Sequence, residues 1–206
     1  MRQVLGSLIG AAILSACTHV PITSIPKLAN IDPETTDLSQ VELAVRVPQD
    51  FRLHRDGASI EVVLTPEGEP PETLKLELEH SEAPLTPFLV RQQGQRFKIL
   101  RFELDPADAQ RATEYRTRVI ETKERLKAEG RGGSASFSLG STGCLAQGAN
   151  PFQDLRMKFF MRTKPDEEFY PPIKEIRISP EDLRDEGDTG ISFCDEEDMP
   201  RLIDVA

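Results

Sequence analysis

The sequence predicts a mainly β protein, an antiparallel β-sandwich carrying one long surface helix. Some eight short segments alternate apolar and polar residues at roughly ten-residue spacing, the pattern of half-buried strands separated by turns. Sixteen prolines, no tryptophan and few aromatics suit short strands better than a helical bundle. Helical spacing is sustained in only one stretch, after Asp105-Pro106, and its apolar stripe is narrow. An α+β domain whose helix covers a sheet face is the alternative, which the narrow stripe disfavours.

The first strand places Val41, Leu43, Val45 and Val47 on one face and stops at Pro48. A turn around Asp56-Gly57 leads to a strand with Ile60, Val62 and Leu64, closed by Pro66, Gly68, Pro70 and Pro71. Leu74, Leu76 and Leu78 mark a third strand, and Phe88 to Val90 a short fourth. Between Arg96 and Leu104 the alternation changes parity, Phe97 and Ile99 against Leu100, Phe102 and Leu104, which a bulge near Ile99-Leu100 would explain.

Asp105 as N-cap, Pro106 at the first helical position, Asp108 in the first turn and Gly130 after the last bound the helix. Ala112, Tyr115, Val119 and Leu126 form its stripe, and Glu114 with Arg118 and Glu121 with Arg125 are spaced to pair along its exposed face. Further strands follow at Ala135, Phe137 and Leu139, at Leu155 to Met161, and at Ile176 and Ile178. Ser179-Pro180-Glu181-Asp182 signals one helical turn, and Ile191 and Phe193 a last strand running into Cys194. In general shape such a sandwich resembles immunoglobulin-like or transthyretin-like domains.

The amino terminus reads as an address. Arg2 precedes a run from Val4 to Ala16 that is apolar apart from Gly and Ser, the layout of a signal peptide. At about thirteen residues the run is too short to cross a hydrocarbon core of about 30 Å as a helix. Leu14-Ser15-Ala16-Cys17 resembles the lipobox of bacterial lipoproteins. That resemblance covers the first seventeen residues alone. It implies cleavage before Cys17 and a thioether-linked diacylglycerol on its thiol, usually with a third acyl chain on the new amino group. Multiple chains anchor a protein stably where a single short one does not. Thr18, rather than Asp, after the cysteine resembles the pattern of lipoproteins sorted to the outer membrane, with the periplasmic face of the inner membrane as the alternative.

Residues 1–16 are thus expected to be signal, 17–39 a lipidated cysteine and tether rich in proline (Pro21, Pro26, Pro33), and 40–206 the folded domain. Arg2 is the only charged residue in the signal, so its removal takes the net charge from −10 to −11. A negative body repels nucleic acid and anionic headgroups, which leaves membrane attachment to the lipid.

Motifs for catalysis or metal binding are weak. His19, His54 and His80 lack paired ligand spacing and read as surface residues in the tether, a turn and a strand end. Gly132-Gly133-Ser134-Ala135-Ser136 has Ser where a nucleophile elbow needs its last Gly, and a strand follows where a helix is required. Gly140-Ser141-Thr142-Gly143 lacks the lysine and helix of a phosphate loop and reads as a turn. Asp185, Glu186, Asp188 and Asp195 to Asp198 are acidic without EF-hand spacing. No catalytic, cofactor or metal residue is therefore assigned. With Cys17 lipidated, Cys144 and Cys194 are an even pair in an oxidising compartment, expected to form a disulfide.

These readings converge on a membrane-anchored envelope lipoprotein with a non-enzymatic role in protein interaction or envelope assembly and an envelope protein as partner. A lipid-anchored hydrolase or carbohydrate-binding module is the alternative. An open edge strand or flat apolar patch would favour the first, a cleft with converging acidic or histidine side chains the second.

Overall fold

The computed structural model describes residues 37–150, 154–178, 192–195 and 202–203. The signal segment, Cys17, His19, most of the tether, the Ser179-Pro180 turn and nearly all of the acidic run lie outside them. The chain forms β1 (Glu42–Pro48), β2 (Phe51–Pro66), β3 (Glu72–Ser81), α1 (Pro87–Gln93), β4 (Phe97–Leu104), α2 (Pro106–Ala128), β5 (Gly133–Leu145), β6 (Leu155–Arg162), β7 (Ile176–Ile178) and β8 (Ser192–Phe193).

The strands hydrogen-bond in one order, β7-β6-β1-β4-β3-β2-β5-β8, antiparallel throughout except for the parallel β5–β8 contact. The mainly antiparallel β class is as expected. Instead of two stacked sheets there is one open sheet, curled into a half-barrel. Its two halves pack on each other inside the curl, since Val45, Val47 and Met157 share a cluster with Phe51, Leu53 and Leu145. The curl arises where pairing partners change along a strand. The first part of β3 pairs with β2 and its last four residues with β4. In β2 the four residues between Leu53 and Ala58 oppose Thr142 alone, so Asp56-Gly57 sits in a bulge within one long strand, not in a turn between two. Gly57 is required there: a Cβ would lie 2.6 Å from the Thr142 carbonyl oxygen.

β1 and β4 pair from Glu42↔Glu103 to Pro48↔Phe97 without interruption, so the parity change at Ile99-Leu100 is not a bulge. It records a strand buried on both faces. Leu100 and Phe102 enter the cluster inside the curl, whereas Ile99 joins Ala44, Leu89, Phe160 and Phe169 on the outside. That outer cluster is roofed by α1, which replaces the expected strand at Phe88 to Val90. Thr86 caps α1 by accepting from the Leu89 N–H, and Pro87 opens it.

α2 begins and ends as its caps require, with Asp105 accepting from the Asp108 N–H and Gly130 at φ 69° after the last turn. Its stripe, though narrow, is buried against the sheet, and Tyr115 is wholly enclosed. The helix therefore packs its stripe into the core cluster beside β3 instead of lying free on the surface. Arg118 and Arg125 reach across to Glu72 and Glu69 on the β2–β3 hairpin instead of along the helix to Glu114 and Glu121. The 3-10 turn Leu38–Gln40, at the end of the predicted tether, lies against α2.

Candidate interaction edge

An open sheet has two edge strands, and unpaired backbone groups along them bind other chains unless they are covered. Three exposed stretches of this sheet are dealt with inside the molecule. The first part of β3, where β4 is absent, is met by side chains of α2: the Asp108 carboxylate accepts from the Glu77 N–H at 2.9 Å, Arg111 donates to the Lys75 carbonyl at 3.1 Å, and the Tyr115 hydroxyl donates to that of Glu72 at 3.4 Å. β6 is covered near its start by β7 and near its end by Tyr170, which exchanges backbone bonds with Met161. At the other edge, among the described residues, β8 covers Cys144 and Leu145.

Residues 133–143 of β5 are different. On one side they pair with β2, and on the other no strand accompanies them among the described residues. The stretch carries no charged residue and no proline, the devices by which natural edges discourage pairing. Its faces are distinct. Phe137 and Leu139, opposite Val62 and Ile60, lean on the core and are half-buried, while Ser136 and Ser138 lie exposed opposite Val63 and Glu61. Gly143 allows the end of the strand to press against β2, because a Cβ there would lie 2.2 Å from the Arg52 carbonyl oxygen. An uncovered, alternating strand of this kind accepts an added strand through main-chain bonds, with its side-chain rows setting specificity.

The other sequence candidates fall in several places. Cys144 and Cys194 are at disulfide distance, Sγ–Sγ 2.06 Å and Cα–Cα 4.9 Å, next to the β5–β8 contact and beside Leu202. Gly140-Ser141-Thr142-Gly143 is strand, not turn. Ser134, the second residue of β5, is exposed and opposite Thr65. His54, expected on the surface, is buried in the β2 bulge, where the strand bridges to Leu202. His80 faces the Phe102 ring edge-on at 6.0 Å, and burial, with Arg55 nearby, holds its pKa below the usual value. The structure thus leaves His54 and His80 ungrouped, His19 lies outside the described residues, and no cluster of metal-ligating side chains occurs among those described.

Two features were not legible in advance. A cleft of about 530 Å³ opens at the β1–β2 corner, lined by Asp50, Arg96, Asp154 and Arg156 among others. Lys98, nearby on the inner face of β4, is 3% exposed, and burial, reinforced by Arg52 and opposed by Asp50, lowers its ammonium to about 8. On the outer face, Glu42 is held by both Arg101 and Arg162, which lie over the Phe169 ring, and Arg46 pairs with Glu175 at 2.5 Å. These buried pairs strap the segment 163–175 onto the sheet, a structural task.

Compared with family models, with curated proteins and with solved structures, the chain has no match.

Proposed function

We propose that this chain is a lipid-anchored protein of the bacterial envelope whose body binds another polypeptide by adding a strand to β5. In this reading residues 1–16 direct export and Cys17 carries the lipid at the periplasmic face of the outer membrane. The folded domain acts as an interaction module, not a catalyst. The open edge at residues 133–143 carries the binding half of the reading: it is long, uncharged and uncovered among the described residues, whereas β3 and β6 are covered. The address rests on Leu14-Ser15-Ala16-Cys17, and the placing of Cys144 beside Cys194 supports it, since such pairs persist in oxidising compartments.

Metabolic labelling with an alkynyl fatty acid tests the anchor. Label is expected on the wild-type chain and absent from Cys17→Ser, which also keeps residues 1–16 because processing requires the thiol. Equal label on both would remove the lipoprotein reading.

The cleft with Asp50 and Asp154 favours a second reading, a lipid-anchored carbohydrate-binding module or hydrolase. Its lining mixes carboxylates with Arg96 and Arg156, and no histidine joins them among the described residues, which weights the proposal toward the edge.

A further inference from the structure

Resting on the edge-binding reading, we infer that the strand added to β5 is β5 of a second copy, running antiparallel about a two-fold axis centred on Ser138. A two-fold contact requires a surface complementary to itself. Residues 134–142 have that property: with Ser138 opposite its own copy, Phe137 meets Leu139, Ser136 meets Gly140, and Ser134 meets Thr142. Phe137 and Leu139 stay on the face that leans on the core, where Ala135 also meets Ser141, and Ser134, Ser136, Ser138 and Thr142 stay on the other with Gly140. In each copy Phe137 and Leu139 are only half-buried, so pairing encloses the part the open edge leaves wet.

Charge points the same way. A chain of net charge −10 resists approach by its own copy over most of its surface. Residues 133–143 themselves carry no charge, and among the described residues the acidic side chains beside them on the serine face are Glu61, one strand behind, and Glu67, which accepts from the Gly132 N–H just before the stretch. Across the pair the two Glu61 rows stand three strand spacings apart, about 14 Å. That exceeds the screening length of about 8 Å in physiological salt.

An edge contact of eleven residues is smaller than the roughly 1,200–2,000 Å² of a stable standard interface. The dimer is accordingly weak in free solution and forms where copies are confined to one surface, which raises their effective concentration.

The test uses the full chain in intact cells. Ser138→Cys, with Cys144 and Cys194 retained, is oxidised in the membrane and run without reductant. In parallel, a benzophenone amino acid at position 138 captures whatever lies against the strand. The expected result is a product of twice the chain mass from both, weaker from Ser136→Cys, absent from Glu124→Cys on α2, and suppressed when Ser136→Lys is added to the position-138 variants. Capture of a polypeptide of different mass would overturn the self-pairing and leave edge binding standing. A link back within the same chain, or no product at any edge position, would overturn both.

Discussion

Lys98 shows how a single residue can escape a pattern. It stands between Phe97 and Ile99 in a strand buried on both faces, and its side chain is enclosed. Below pH 8 Lys98 is charged in both the folded and unfolded chain, and its desolvation cost is fully present. As pH rises from about 8 toward the unfolded value of 10.5, the folded state releases its proton first. The unfolded state then binds more protons, so stability rises with pH across that window. Tyr115 and Tyr170, whose hydroxyls are pushed up by burial, act in the opposite sense above pH 10, so the rise is clearest between pH 8 and 9.5. Lys98→Met is expected to stabilise the fold at pH 7 by about 2 kcal/mol, discounted from the full shift, and to flatten the rise. Urea midpoints at pH 7 and 9.5 check both; an unchanged slope with pH would exclude Lys98 as its source.

Among elements, those with strong local signals are where the sequence puts them. β1, β3, β6 and α2 follow from alternation and from the Asp105-Pro106 cap. Two differ for identifiable reasons. Thr86-Pro87 carries the same kind of cap as Asp105-Pro106, but the segment after it is too short for helical periodicity to register, and α1 instead resembles a strand. Gly140 to Gly143 has turn composition, yet its glycines serve close approach between β5 and β2 instead of chain reversal. Gly143→Ala tests this: a methyl group 2.2 Å from the Arg52 carbonyl must push β2 and β5 apart. A loss of about 1–3 kcal/mol is expected as a lower urea midpoint with unchanged m value. A turn in place of the strand would tolerate the alanine with little change.

For the whole molecule, the C-terminal part is held to the sheet by few described groups: the two-residue β8, Leu202, Ile203 and the Cys144–Cys194 pair. If the cysteines are bonded, the cross-link closes a loop of sequence separation 50 and constrains the unfolded chain by about 4 kcal/mol in the entropy model. Protein from the periplasm should show no alkylatable thiol at Cys144 or Cys194, and reduction should lower its melting temperature by several degrees or more. Two free thiols would exclude the staple and weaken the argument for export.

The sequence by itself determined the mainly β class, the ends of α2 and the expectation that Cys144 and Cys194 lie together, because these depend on periodicity, capping and the number of thiols. It also contained every residue of the β5 edge, since Phe137 and Leu139 alternate with serines in plain view. Only the tertiary structure decided that the strands join into one open, curled sheet, that side chains of α2 reach the free groups of β3, and that no described strand accompanies residues 133–143. Strand order depends on contacts between residues far apart in sequence, where β1 neighbours β4 and β6 but not β2, and no local pattern encodes which strand ends up at the edge.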